Sequence, residues 1–579
     1  MFDILIKNGL ICDGTGAPSY EANLGITGDR ITYIGKEYGA DAKAAVTVID
    51  AASKVITPGF IDTHTHADLS MMIEPAMEPF VKQGVTTVIT GNCGYSMAPQ
   101  GDEIFYFPST NQTFQELAGA DPADQMPLLY PREKAQTAFE TLYGVKPDWR
   151  TFGEYSKRCD SMALGCNAAP LVGYSAVRTA VMGQDCLREA TEEELVQLET
   201  LVRDAMEDGA FGLSTGSDPA YLPGPFATDG EVHRMVKIAA AYGGIFASHT
   251  ANYDAEGKVD RMGGYAKMLR QAADTGVKVH VSHVHVMNMA EDAEGAAEAA
   301  RKTLSYFDEA RERGVDLTCD VIPSPACCNF TLTSFGFYLK PLVLIAGGQK
   351  ALARLWQTDA SFREQLREML ADGKFPAFDI EAEDNLLPEL CVLKHKNPVY
   401  VGKFITQCAE IMGKAPFDAM LELFVEDTDM VADFIAPVLG ESVDIFCQCD
   451  YAMPCSDGFG YAKETNLTGK DEFPAYPNSM NIGLMPRYLT RYGKDDFEQA
   501  VRRASGFPAQ RFGIRDRGVL KEGYYADLVV LDRENLHSFD EEENPLQDPC
   551  GIDYVFVNGK ATLTPDGLTG AGTGRMLRK

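Results

Sequence analysis

The sequence predicts an α/β chain built as a (β/α)8 barrel, with a small β domain assembled from both ends and an inserted, mainly helical segment. Three observations predict it. Strand-like apolar runs alternate with helix-like stretches through the middle of the chain. Short β-patterned segments sit near both ends. Histidine, cysteine and aspartate recur where the middle runs stop, and a parallel barrel gathers its chemistry at the C-terminal ends of its strands.

Residues 2–6, 31–34 and 46–50 read as short strands, with GTGAPS at 14–19 as a turn. ADLVVLD at 526–532 and YVFVNGK at 554–560 restore the β pattern. The β domain is therefore expected over 1–57 and 511–579, flanking a barrel over 58–510. The eight expected barrel strands are PGFIDTHTH (58–66), VTTVITGN (85–92), APLVGYS (169–175), GAFGLSTG (209–216), GGIFASH (243–249), VKVHVSH (277–283), VDLTCDV (315–321) and VDIFCQCD (443–450). Between them lie helices. TEEELVQLETLVRDAMEDG at 191–209 opens with Thr191 and has Glu194 three residues on, a capping box. RKTLSYFDEARERG at 301–314 ends on a glycine in the same way. Strand-helix alternation of this kind argues a parallel sheet with covering helices. The alternation breaks near 100–160, which is rich in aromatics and proline, and near 330–440, which looks helical. Both are expected to be insertions that roof the barrel mouth.

Charge and composition narrow the function. Lys and Arg number 52 against 84 Asp and Glu, a net charge of −32. Such a surface repels phosphate backbones and anionic headgroups, so neither nucleic acid nor a membrane surface is an expected partner. The opening MFDILIKNGLICDGTG has one short apolar stretch and no basic leader, so no signal peptide is expected. No apolar run is long enough to span a bilayer. Fourteen cysteines in 579 residues read as reduced thiols of a cytoplasmic protein, not as a disulfide framework.

The predicted strand ends carry the chemistry. His64 and His66 follow the first strand, and a two-residue spacing turns both the same way. Cys93 follows the second strand, His249 ends the fifth, His283 ends the sixth, and Asp457 follows the eighth. Imidazole and thiolate suit zinc, and a carboxylate at the same mouth can ligate or move a proton. Any one of these residues alone would ordinarily be packing; six at converging strand ends point to a metal site. His285 shares a face with His283 and reads as ligand, substrate contact or neither. His233, His280, His395 and His537 read as structural, and the Cys327-Cys328 pair as packing. The glycines of GNCG serve a tight turn.

These motifs in this order, PGFIDTHTH, GVTTVITGNCG, GLSTG, ASH, VSH and SDG, resemble the amidohydrolase superfamily, most closely its N-acyl-D-amino-acid deacylase (D-aminoacylase) branch. The closing RFGIRDRGVLKEGYYADLVVLD also matches, so the resemblance covers nearly the whole chain. It implies a (β/α)8 barrel with a β-sandwich made from both termini. It implies one or two Zn²⁺ ions: Cys93, His249 and His283 at one position, His64 and His66 at a second, with Cys93 able to bridge. It implies hydrolysis of an amide C–N bond in a small N-acylated substrate by metal-activated water, with Asp457 as general base and then general acid. Asp62 is expected to support a ligand from behind.

The substrate side departs from that pattern. Where family members carry a lysine two residues after the sixth-strand histidine, this chain has His285. The tyrosine-rich DxYPY stretch reads Asp320-Val321-Ile322-Pro323-Ser324, and HPR reads Tyr476-Pro477-Asn478. GLSTGxxYxPG appears as GLSTGSDPAYLPG, two residues longer, with Tyr221 keeping its place. Tyr221, His285, Asn478 and Arg178 are the candidate substrate contacts. A bidentate arginine is the usual carboxylate anchor; Arg178 and Arg487 are the candidates to replace it, set against a reading of both as structural charges. Two alternatives stand beside the deacylase reading: a cyclic-amide hydrolase of the hydantoinase or dihydroorotase type, and a barrel kept as a non-catalytic scaffold. A homo-oligomer is left open.

Overall fold

The computed structural model describes residues 1–37, 45–106, 114, 117–119, 129–218, 221–251, 260–286, 289, 292–331, 346, 349–371, 390–427, 430–435, 439–462, 480–539 and 547–579. Both ends of the chain meet in one nine-stranded sheet. The seam is the pairing of Val55–Pro58 with Leu528–Leu531, antiparallel, with Val529 opposite Thr57. Strands Ile4–Ile11, Tyr20–Thr27 and Arg30–Gly35 extend it on one side, and Ile552–Val557, Lys560–Thr564 and Gly567–Leu568 on the other. Ile6, Leu24, Ile26, Ile56, Leu528, Val530 and Phe556 form its buried core. Burial at every second residue is what fixes register in such a sheet.

Nine parallel strands follow: β1 (Phe60–Asp62), β2 (Val85–Thr90), β3 (Asn167–Pro170), β4 (Val172–Gly173), β5 (Gly212–Gly216), β6 (Ile245–His249), β7 (Lys278–Val281), β8 (Leu317–Val321) and β9 (Ala452–Pro454). β1, β2 and β3 make one sheet, and β4 to β9 a second in chain order. Leu171 alone separates β3 from β4, and an isolated parallel bridge joins Thr65, beyond β1, to Gly458, beyond β9. Apart from the β3–β4 break, helices lie between consecutive strands. Glu192–Glu207 starts on the Thr191–Glu194 capping box and buries Leu198, Val202, Ala205 and Met206 at helical spacing. Asp229–Ala241, Arg261–Thr275 and Ala293–Glu312 follow β5, β6 and β7. Among the described residues, no helix is long and apolar enough to cross a membrane.

Two sequence expectations are corrected. VDIFCQCD is not a strand: Gly440–Gln448 is a helix, and the strand comes after it as β9. Ser442, Val443, Phe446 and Cys447 are its buried residues, and Val443, Phe446 and Cys447 are spaced three and four apart, which is a helical face and not an alternating one. The second insertion is not only helical. It carries a three-stranded antiparallel sheet of Ala326–Thr331, Val431–Ile435 and Leu390–Lys394 beside its helices. The first insertion holds the hairpin Glu103–Phe105 and Leu129–Pro131, with helices Arg132–Tyr143 and Phe152–Asp160.

Candidate metal centre

The ends of β1, β2, β6 and β7 and the segment after β9 bring the predicted residues together. Cys93 is the hub. Its Sγ lies 3.2 Å from His64 Nε2 and 3.5 Å from His283 Nε2. His249 joins through Nδ1, 2.9 Å from His283 Nε2. On the other side, Asp457 Oδ1 lies 3.3 Å from His64 Nε2 and 3.2 Å from His66 Nε2. Two overlapping donor sets result, His64 with Cys93 and His283, and His64 with His66 and Asp457.

The backbone is bent to make this possible. Cys93, His283 and Asp457 have φ of 53°, 32° and 53°, a region L-residues seldom occupy. Such strain persists where surrounding structure over-determines it, and it collects at functional sites. The surrounding structure is visible here. Gly91, at φ 76°, turns the chain where a Cβ would meet the Leu171 carbonyl at 2.0 Å. Asn92 Nδ2 donates to the carbonyls of Thr65 and Ile89, and the Gly94 N–H donates to Ser214 Oγ. The Asp457 N–H donates to the His64 carbonyl and the His66 N–H to that of Gly458, which locks the Asp457 turn against the histidines.

Charge follows geometry. Burial pushes the Cys93 thiol up, but His64, His249 and His283 outweigh it and hold the thiol well below its usual range, as a thiolate. Burial pushes His66 down, yet Asp457 and Cys93 raise it to about 9. His249 is likewise raised to about 9 against burial, by Asp218 and Cys93. Asp457 is lowered: burial would raise it, and His283, His64 and His66 prevail. A buried thiolate, a carboxylate and four imidazoles are a donor set suited to zinc. Asp457 Oδ1 is buried beside two imidazole nitrogens, and His64 Nδ1 beside Asp320, yet neither atom makes a well-formed hydrogen bond. Burying polar atoms in that way is costly unless they are otherwise coordinated, and so the residues present fit a bound cation.

The supporting residues differ from expectation. Asp62 does not meet a ligand ring; its Oδ1 accepts the backbone N–H of His64 and of Ser456, tying β1 to the Asp457 segment. The ring of His64 instead faces Asp320, Nδ1 to Oδ2 3.6 Å. Asp320 and Asp218 both border the cluster. Asp320 ends a strand-like run and so was within reach of the strand-end argument; Asp218 falls in the stretch two residues longer than the family pattern. His285 lies beside the cluster, its ring 6.0 Å from that of His283, with Arg261 Nη1 3.1 Å from its Nε2. Tyr221 packs its ring 4.0 Å from that of His249. Arg178 is brought elsewhere: it is fully buried, paired with Glu231, and donates to the carbonyls of Cys186 and Arg188. Arg487 donates from Nε to the Pro323 carbonyl at 2.5 Å. Asn478 and the side chains of Cys327 and Cys328 lie outside the described residues. His233 and His395 have local partners, and His280 sits against Asp320.

Residues 474–562 match the model of the Amidohydrolase family. A D-aminoacylase of Alcaligenes xylosoxydans xylosoxydans is 30% identical over 100% of this chain and 98% of its own length. The crystal structure of a D-aminoacylase superposes with a TM-score of 0.71 at 27% identity, covering 100% of both chains. An N-acyl-D-glutamate deacylase from Bordetella bronchiseptica, in complex with zinc and a phosphonate inhibitor, gives 0.68 at 27% identity over 100% of both chains. Full-length likeness at that level, with the histidine and cysteine motifs falling into one buried cluster, makes this chain a member of the amidohydrolase superfamily, in its D-aminoacylase-like branch.

Proposed function

We propose that this protein is a zinc-dependent hydrolase of an amide C–N bond in a small N-acylated, amino-acid-like substrate. The observation that carries the reading is Cys93 Sγ lying against both His64 and His283, with Asp457 on the other side of the same His64 ring. Cys93, His249 and His283 would hold one ion and His64 and His66 a second, with Cys93 shared. The relative holding zinc and a phosphonate mimic of a tetrahedral intermediate supports both the metal and the reaction class.

The chemistry zinc supplies when bound is Lewis acidity, which polarises a carbonyl and brings the pKa of a water to ~7. The chain supplies the rest. Asp457, held ionised by the histidines around it, takes the proton of the attacking water and returns it to the departing nitrogen. His66 and His64 fix its carboxylate from two sides. Burial of the cluster keeps bulk water from competing for those contacts. Tyr221 and His285 are the proposed substrate contacts among the described residues. Arg178 is spent on Glu231, which argues against it as a carboxylate anchor.

The same reading covers the architecture. β1, β2, the broken strand β3–β4, and β5 to β9 are eight strands of one closed (β/α)8 barrel over 58–510, a view supported by the single-residue break at Leu171 and the Thr65–Gly458 bridge. The two terminal segments, 1–57 and 511–579, make the sandwich domain beside it. Free thiols among the described residues suit work in the cytoplasm.

The test is zinc content by elemental analysis together with release of amine from N-acyl-D-amino acids and from uncharged N-acyl amines. Wild type is expected to carry zinc and turn over at least one class; Asp457→Asn is expected to keep the zinc and lose activity by ~10²–10⁴-fold. Wild type without zinc overturns the proposal.

A further inference from the structure

The His249 imidazole is held at both nitrogens. Its Nδ1 faces His283 Nε2 at 2.9 Å, and that atom lies 3.5 Å from Cys93 Sγ. Its Nε2 faces Asp218 Oδ2 at 3.2 Å. Tyr221 covers one ring face. Backbone pairing fixes the meeting. Gly216 is opposite His249 in register, and the Ser217 N–H donates to the His249 carbonyl at 3.0 Å, so the chain leaves β5 alongside the ring. The Tyr221 N–H returns to the Asp218 carbonyl at 2.8 Å. Asp218 and His249 are both buried.

A histidine gives up its second proton when it ligates a metal, and the neutral ring that remains has one proton and one lone pair to place. An ionised carboxylate only accepts, so beside Asp218 the proton belongs on Nε2 and the lone pair on Nδ1. That lone pair is directed at the space shared with His283 and Cys93. We propose that Asp218 is a positioning residue: it sets the His249 tautomer and so the zinc affinity of the Cys93, His249 and His283 position. The inference rests on the zinc-dependent function proposed above. Outer partners of ligand histidines are typically worth ~10–100-fold in metal affinity.

The experiment is competitive titration of the metal-stripped full chain with zinc against a chromophoric chelator, for wild type, Asp218→Ala and Asp218→Asn. Asp218→Ala is expected to bind its tightest zinc ~10–100-fold more weakly. Asp218→Asn keeps an amide oxygen that accepts from Nε2, and is expected to keep most of the affinity. Cobalt-loaded samples at saturation should all show the Cys93 thiolate charge-transfer band, since the ligand set is intact. Near-ultraviolet dichroism checks folding, and Asp218→Ser, whose hydroxyl is too short to reach Nε2, replaces Asp218→Ala should that variant not fold. Equal affinity in wild type and Asp218→Ala overturns the inference and leaves the function standing. Equal loss in the Ala and Asn variants also overturns it, because the carboxylate would then act otherwise than through the tautomer. Wild type that binds no zinc overturns the function itself.

Discussion

Asp320 and His280 meet at 2.7 Å, Oδ2 to Nε2, with both side chains fully buried beside the histidine and cysteine cluster. His280 is kept neutral, its pKa lowered chiefly by burial, and its Nδ1 faces Thr318 Oγ1 at 2.8 Å. The proton therefore sits on Nε2 and is donated to Asp320. The other carboxylate oxygen accepts the His283 backbone N–H, which bends that residue into its positive φ. Asp320→Ala leaves two buried donors without an acceptor, each costing about 1–3 kcal/mol. A loss of about 2–6 kcal/mol in unfolding free energy is expected from urea titration. A variant as stable as wild type would mean that water or another group takes the place of the carboxylate.

Arg178 separates structure from specificity. Glu231 accepts from Arg178 and, at 2.6 Å, from the Tyr174 hydroxyl, and all three side chains are buried. Removing one partner of a buried ion pair strands the other charge and costs about 3–5 kcal/mol. Arg178→Met is expected to lower stability by that order, and the double change with Glu231→Gln to recover part of it. KM in the folded variant should stay near the wild-type value. A raised KM at unchanged stability would instead give Arg178 a role in holding substrate.

The site was legible in the sequence because strand periodicity and strand ends are local signals. His64 and His66, two apart, and Cys93, His249 and His283, each at an expected strand end, all fall within the cluster; Asp457 joins them, though the strand it follows is β9 and not the expected 443–450. What was hidden depended on tertiary contact. Asp218 matters only because the chain after β5 runs beside His249, and no spacing rule announces that. Arg178 follows the expected third strand, but its helix turns it away toward Glu231. The residues of VDIFCQCD fit either period over so short a run, and the packing of Val443, Phe446 and Cys447 decided for helix. The pairing of Val55–Pro58 with Leu528–Leu531 joins segments more than 400 residues apart; composition hinted at it, but only contact fixes its register.

Glu194 gives a pH test far from the metal. Its carboxyl is held down to about 2, first by Arg188, whose two terminal nitrogens lie 2.9 and 2.8 Å from its oxygens, then against burial by the Thr191 N–H. A carboxylate with a lowered folded pKa stabilises at pH above its unfolded value near 4.5, and that contribution is lost as pH falls toward 2. Glu194→Gln weakens the capping box, worth about 1 kcal/mol. Amide exchange in the first turn of Glu192–Glu207 should run about fivefold faster in the variant at pH 7, with most of the difference lost by pH 2. A gap as large at pH 2 as at pH 7 would mean the carboxylate charge is not what holds the turn.

The last residues of the chain act as a strap under the strand starts. The Gly574 N–H donates to the Leu164 carbonyl, the Ala168 N–H to that of Arg575, the Leu577 N–H to that of Ala168, and the Lys579 N–H to that of Gly209, at 2.7 to 3.1 Å. Met576 donates its N–H to Asp160 Oδ1 at 2.8 Å, and its side chain is buried. Leu577 packs on the cluster that includes Ile61, Ile89, Ala169 and Phe211. Four backbone bonds and the one to Asp160 at a net ~1 kcal/mol each, with two apolar side chains at ~1.5–3 kcal/mol when fully buried, set a ceiling near ~10 kcal/mol. Partial burial and relaxation of the cut end bring the expected loss to about 4 kcal/mol or more for a chain stopped after Gly572. Its zinc content, measured in the cold, should match the full chain, because no ligand lies on the strap. A truncated chain that melts within a degree of the full one would show that these contacts only lie against the strand starts and do not hold them.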